Sequence, residues 1–327
     1  MTPKGAAAIL ERMSLPPFLV RALMAGGFAL LAACDPQPAA KPPEPHQPTV
    51  QSAPAPVAYH SPALWVVRDA DTTIYLFGTF HMLKPGASWF DGAIRNAFGA
   101  SDTLVTEIKQ PDNPMALGPA TIALATDPDG PPLSRKLPQA ARAPYRAFAE
   151  AQGLRAQSLE RYEAWYVASV LATARYRKLG LDPKAGAERI LVANLRPAQR
   201  HEALETPEAQ LAMLDSVPEA EQIDALAQLV TSKADPIVST DKMLSLWLKG
   251  DADTLAASKN GALYKLPDMA RIMLFERNRR WAAWIKQRMA HPGTVFIAVG
   301  AGHLAGQNSV QHYLVTDQGL NPQRIKD

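Results

Sequence analysis

The stretch Thr72–Pro85 reads T-T-I-Y-L-F-G-T-F-H-M-L-K-P, an apolar strand that meets Gly78 and, three residues on, His81. Far along the chain, Thr294–Gly306 reads T-V-F-I-A-V-G-A-G-H-L-A-G, and the construction repeats with Gly300 and His303. Glycine suits the sharp bend after each strand, because the backbone turns there without a Cβ and leaves room for a ligand. An imidazole just past such a bend serves as a metal ligand or as a base near neutral pH. One such unit is usually structural. Two of them suggest a single domain whose ends bring His81 and His303 together.

Around these strands the chain reads as α/β. Ala63–Arg68 and Thr73–Phe77 flank the turn Asp69-Ala70-Asp71, which predicts a hairpin. Asp102–Ile108 is a third strand, with Glu107 near its carboxyl end, and Arg200–Leu204 is a short strand candidate. Glu205 follows at a strand-to-helix junction where Thr206 and Pro207 open a helix. Sites on open α/β sheets collect at the carboxyl ends of strands, which groups His81, Glu107, Glu205 and His303. Ser158 is a candidate cap for a helix over Leu159–Leu179, closed by Gly180. On it Tyr162, Trp165, Tyr166, Val170 and Thr173 share one face, as core or as the wall of a groove.

Leu266–Met289 reads as one long helix with a stripe of Leu274, Trp281 and Ile285. Arg277 and Asn278 fall on that stripe. A buried guanidinium needs a partner, and the carboxylates above would supply it. Arg277 would then orient Glu107 or steady an oxyanion, or it forms a structural ion pair. Glu107 likewise reads either as a ligand or as a buried salt-bridge or capping residue. His312 is a reserve third ligand, while His46, His60, His201 and His291 have no comparable placement.

The chain has 327 residues, 47% hydrophobic and 20% charged, which is globular composition with length enough for a full core. The formal net charge of +3 comes mostly from Lys4, Arg12 and Arg21 set against Glu11, so no basic block points to nucleic acid. Cys34 is the sole cysteine, which excludes an internal disulfide and a thiolate metal cluster. Residues 1–33 read as a signal peptide. Arg12 and Arg21 precede the apolar run Ala22–Ala33, shorter than the ~20 residues a spanning helix needs. Leu31-Ala32-Ala33-Cys34 resembles a bacterial lipobox, with Cys34 as the lipidated residue and Met13 as a second plausible start. By resemblance to enteric bacterial sorting, Asp35 favours retention at the inner membrane, on the periplasmic side. Residues 34–62 carry nine prolines between Pro36 and Pro62 and form an extended tether. Residues 63–327 are the folded domain.

Read together, these pieces resemble the TraB/PrgY/GumN superfamily, which includes the animal TIKI proteins. The matching segments are L-W-x-V at Leu64–Val67, Y-L-F-G-T-F-H at Tyr75–His81 and L-V-T-E-I at 104–108. L-E-T-P-E-A-Q-L at 204–211, W-L-K-G-D at 247–251, E-R-N-R-R-W at 276–281 and V-F-I-A-V-G-A-G-H-L-A-G at 295–306 follow in order. The segment Pro183–Arg200, which ends in A-N-L-R-P-A-Q-R, departs from the usual pattern. The resemblance implies a central mixed β-sheet flanked by helices, similar to erythromycin esterases and ChaN-like haem-binding proteins. It implies a membrane-surface, metal-dependent protease using a divalent metal, Mn or Co, with Zn as a further candidate. Carried onto this chain, the metal residues are His81, His303 and Glu107. Arg277 is the further catalytic residue the resemblance implies, and Gly78, Gly300 and Asn278 support the cofactor. Beside them, the residues themselves make Glu205 a catalytic candidate for proton transfer. The expected function is a membrane-tethered hydrolase of peptides or proteins. The alternatives are a protein that sequesters a peptide or a haem-like ligand without turnover, and a non-peptide esterase.

Overall fold

The computed structural model describes residues 61–325, apart from 112, 114 and 115. The expected signal peptide, Cys34, Asp35 and nearly all of the tether lie outside the described residues. Leu64–Arg68 (β1) and Thr72–Thr79 (β2) form the expected antiparallel hairpin. Its turn is closed by Asp69, whose Oδ1 accepts from the amides of Asp71 and Thr72. Thr103–Ile108 (β3), Arg200–Glu205 (β4), Gly293–Gly300 (β5) and Gln323–Arg324 (β6) complete a mixed sheet ordered β4-β3-β5-β2-β1-β6. The expected α/β class holds. β5 lies parallel to both β2 and β3, in the middle of the sheet. A strand covered on both faces reads as a continuous apolar run, which explains V-F-I-A-V at 295–299.

The helices are Gly92–Ala100 (α1), Gly118–Ala125 (α2), Leu133–Lys136 (α3), Gln139–Ala151 (α4), Ala164–Lys178 (α5), Ala187–Ala193 (α6) and Pro207–Asp215 (α7). Glu219–Thr231 (α8), Pro236–Leu248 (α9), Ala252–Asn260 (α10), Pro267–Ala270 (α11), Glu276–Arg288 (α12) and Val310–Thr316 (α13) follow. One face of the sheet packs Phe77, Leu104 and Phe296 against Trp89, Phe98 and Trp247. The other packs Ile74, Val105, Ile297 and Val299 against Trp281 and Ile285 of α12 and Leu314 of α13. A third core is purely helical and holds Tyr145, Trp165, Tyr166, Leu171 and Leu226.

Three local expectations change. The fifth helix starts at Ala164, not at Leu159. Ser158 sits in a 3-10 turn with its hydroxyl on the carbonyl of Arg155, and the Glu163 amide is tied to Ala125, so the chain is still extended there. The aromatic residues of that stretch are core, since α5 is buried nearly all round from Ala164 to Thr173. The sequence pattern predicts a helix over Asp241–Lys249, but α9 starts earlier, at Pro236, because the Asp235 side chain caps the amides of Ile237 and Val238. The long helix over Leu266–Met289 is interrupted. Arg271–Phe275 forms a π turn, in which the amide of Glu276 reaches back five residues to the carbonyl of Arg271. Such turns shift the helical phase by one residue and recur at functional sites. Here the turn ends just before Arg277.

Trp247 ties the helical layer to the end of β2. Its indole N–H donates to the carbonyl of Gly78 at 2.7 Å, and its ring packs on Phe77, Phe80 and Trp89. Trp247→Ala is expected to cost about 3–5 kcal/mol in urea unfolding, and Trp247→Phe only about 1 kcal/mol. Equal losses would mean that the hydrogen bond, not the ring, holds this junction.

Candidate functional site

The parallel pairing of β2 with β5 places Thr79 opposite Gly300. His81 and His303 therefore leave adjacent strand ends. Glu107 and Glu205 end the next two strands, with Ile108 opposite Glu205. All four expected side chains lie at the carboxyl edge of the sheet. His81, Glu107, Arg277, Gly300 and His303 line one cavity there, with Lys259, Asn260 and Gly302 beside them.

Arg277 is the most buried charge in the cluster, at 1% exposure. Its Nη2 donates to Glu107 Oε2 at 2.6 Å and to Glu205 Oε2 at 2.8 Å. Its Nε donates to Glu205 Oε1 at 2.9 Å. Its Nη1 lies 3.2 Å from both the Met273 carbonyl in the π turn and His303 Nε2. Gln210 of α7 donates to both carboxylates. The guanidinium also stacks on Trp281, 4.6 Å from the ring centre. Glu205 is thus locked behind Arg277 and does not line the cavity. It positions the guanidinium, and its expected place in proton transfer is not where the structure puts it.

Burial and neighbours pull the titrating groups apart. For Glu107, burial favours the neutral acid, but Arg277, the two imidazoles and the Gly300 amide at 2.7 Å outweigh it, and its pKa falls below the ordinary carboxylate range. His303 is pushed well below its ordinary value, first by burial and then by Arg277. It is a neutral imidazole. Its Nδ1 faces Asn278 Oδ1 at 2.5 Å, while the Asn278 amide nitrogen donates to the carbonyl of Asn308. Asn278 therefore accepts, Nδ1 carries the proton, and Nε2 presents its lone pair. Asn278 works from behind His303 and does not line the cavity. For His81, burial disfavours charge, but Glu188 outweighs it and the pKa rises. Glu188 Oε1 holds His81 Nδ1 at 2.7 Å, and Thr79 donates to the same oxygen.

Glycines set how closely these parts approach. A Cβ on Gly300 would stand 3.1 Å from Glu107 Oε1, 3.6 Å from His303 Cδ2 and 3.7 Å from His81 Nε2. Those three groups therefore converge on the space its missing side chain leaves. A Cβ on Gly186 would lie 2.1 Å from the His81 carbonyl, so only glycine lets α6 come near enough for Glu188 to reach the imidazole. Gly78 faces Ala301 and packs the two strand ends together instead of opening onto the cavity.

Glu188, Gln210 and Lys259 escaped sequence reading. Each lies on a short helix, where a single polar residue carries no spacing signal. Glu188 also sits in the region of atypical sequence before β4. His312 is exposed, its ring against Tyr313, and it takes no part in the site. His201 bonds Thr106 on the sheet.

The donors suit a divalent ion in their chemistry. Each imidazole has Nδ1 held by an oxygen acceptor, the usual support for a metal-binding Nε2. The expected three-ligand cage is nevertheless not closed. Arg277 Nη1 occupies the lone pair of His303 Nε2, and that nitrogen stands 4.0 Å from Glu107 Oε1. Among the described residues, no group of three or more His, Cys, Asp or Glu side chains is arranged to hold a metal.

The sequence profile of the TraB/PrgY/gumN family matches residues 63–324, the whole stretch that carries these strands and this cavity. The chain belongs to that family. Two curated relatives, both described as "Uncharacterized protein YbaP", come from Escherichia coli strain K12 and Shigella flexneri. Each is 24% identical over 265 residues, covering 78% of this chain and 93% of the relative. No solved structure matches the chain. The family match spans both Gly-x-x-His units, the Glu107 strand and the Arg277 helix, so the family pattern and the cavity coincide.

Arg277→Ala is expected to destabilise the protein by about 3–5 kcal/mol, because Glu107 and Glu205 would be left buried without their cation. Urea unfolding measures this. A loss under 1 kcal/mol would show that the cluster is open to water.

Proposed function

We propose that this chain is a hydrolase of acyl bonds, with the amides of peptides as the first substrate class and esters as the second. One observation carries the reading: His81 Nε2, His303 and Glu107 Oε1 converge on the free space in front of Gly300. Both imidazoles are oriented there by a dedicated acceptor. An oriented imidazole with an open Nε2, that of His81, beside an ionised carboxylate in one small cavity is what water activation requires.

The divalent cation is part of this proposal. His81, His303 and Glu107 would hold it, and Mn, Co or Zn are the candidates. When bound, such an ion polarises a carbonyl and makes water acidic enough to deprotonate near neutral pH. Arg277 would have to release His303 for it, while keeping Glu107 and Glu205.

The Arg277–His303 contact favours a second reading, in which the chain's own groups suffice. His81 then takes a proton from water at Nε2, with Glu188 fixing the ring through Nδ1. Arg277 places positive charge beside the point where an oxyanion would form. Both readings give His81 a central role and leave Glu107 ionised.

The proposal extends to location. An exported protein lipidated at Cys34 and tethered by residues 34–62 would hold this cavity at the membrane surface, on the periplasmic side. Loss of the protein from the membrane fraction in Cys34→Ala is the expected outcome. Equal retention of the variant counts against the anchor.

Digestion of a peptide library by the full chain, with metal analysis and with Mn, Co, Zn or a chelator, tests the activity. His81→Ala is expected to lose about a hundredfold or more in rate, and so is His303→Ala. Activity that survives chelation would select the metal-free reading. A folded wild type that cleaves nothing under any ion would replace hydrolysis with the sequestering alternative.

A further inference from the structure

Lys259 stands out once every charge at the cavity is matched with its partner. His81 has Glu188, and Arg277 has Glu107 and Glu205. Among the described residues, no carboxylate or hydrogen-bond acceptor lies within bonding distance of the Lys259 ammonium. Its contact is the ring of Phe80, 5.2 Å away at the centroid. A lysine ammonium has three donors, and the half-buried Lys259 spends none of them on the protein, so they are free for a ligand at the cavity.

Its position is built, not incidental. Lys259 is the second-last residue of α10, and the next residue, Asn260, donates to the carbonyl of Gly302 at 2.8 Å. A Cβ on Gly302 would stand 2.8 Å from Asn260 Oδ1 and 3.4 Å from Lys259 Cδ. The bend that delivers His303 therefore has glycine where the Lys259 stem must pass. The enclosed part of the cavity measures about 60 Å³, room for a carboxylate, and it opens outward toward solvent. Leu263, Met269, Met273 and Leu274 line it beside these polar groups.

We propose that Lys259 is the subsite for an anionic group of the substrate, a free carboxylate next to the bond that is broken. The Met and Leu wall would take the apolar side chain of the same unit. Resting on the hydrolase reading, this specifies the substrate class as peptides ending in an apolar residue with a free carboxylate, trimmed one residue from that end. The bond broken is then the last amide. Water supplies hydroxyl to the acyl carbon and a proton to the leaving amine.

The test reads binding, so it stands apart from turnover. N-acetyl-leucine and N-acetyl-leucinamide are titrated calorimetrically into the full-length protein and into Lys259→Met and Lys259→Arg. Wild type is expected to bind the acid about tenfold to a hundredfold more tightly than the amide. Lys259→Met is expected to bind both equally weakly, and Lys259→Arg to keep part of the preference. Unfolding curves that match wild type establish that the variants are folded. A wild type that does not distinguish acid from amide, or a Lys259→Met that still does, overturns the assignment. A preference for the acid in a protein that cleaves no peptide would leave this subsite standing while the hydrolase reading falls.

Discussion

The bond network around Arg277 is the constraint on which the site depends. A guanidinium at 1% exposure would be untenable alone. Its fork is filled by Glu107 from β3, Glu205 from β4, a carbonyl of the π turn and the imidazole after β5. One side chain thus crosslinks three strand ends to a helix on one face of the sheet. The energy this contributes to folding is modest, because burying ions offsets most of their attraction. What it fixes is relative position. Removing the guanidinium would leave two carboxylates facing each other in a poorly solvated space.

The opposite face of the sheet answers with a second, smaller device. Gly186 lets the start of α6 press on the His81 backbone, and Glu188 then sets the ring. The two histidines are therefore oriented from different sides, His303 by Asn278 on α12 and His81 by Glu188 on α6. The sheet edge between them belongs to neither layer. That division explains their opposite titration. Burial pushes both down; His81 is backed by a carboxylate that outweighs it and rises, while His303, backed by a neutral amide beside a cation, falls.

Much of this was legible in the residues alone. The paired strands, Glu107 and the polar pair Arg277 and Asn278 stood out because each broke or repeated a pattern. A polar residue on an apolar helical stripe must find a partner, so its burial could be argued without coordinates. Residues on short elements gave no such handle. Glu188 stands in the first turn of a seven-residue helix and Lys259 near the end of a nine-residue one, too short for a period to single out one side chain. The π turn was equally hidden, since nothing in R-I-M-L-F departs from an ordinary helix. The role of Glu205 could not be read either. From the chain, a carboxylate at a strand end is equivalent to its neighbour, and only the direction of the guanidinium decides which faces the cavity.

Charge at the cavity links the competing chemistries. Arg280 reaches Glu205 only at 3.8 Å and from an exposed, water-screened position. Among the remaining groups, Glu107, Glu188 and Glu205 are set against Arg277 and Lys259, which leaves one negative charge uncompensated when both imidazoles are neutral. Burial opposes charge on His81, but Glu188 and then Glu107 raise its pKa, and a proton there balances the cluster. A divalent cation among His81, His303 and Glu107 would overshoot the same balance by one, and would require His81 to give up its proton. An anionic substrate at Lys259 would restore neutrality in that case. The metal and the carboxylate would then favour each other's binding, while a site balanced by the His81 proton would hold an anion without any metal.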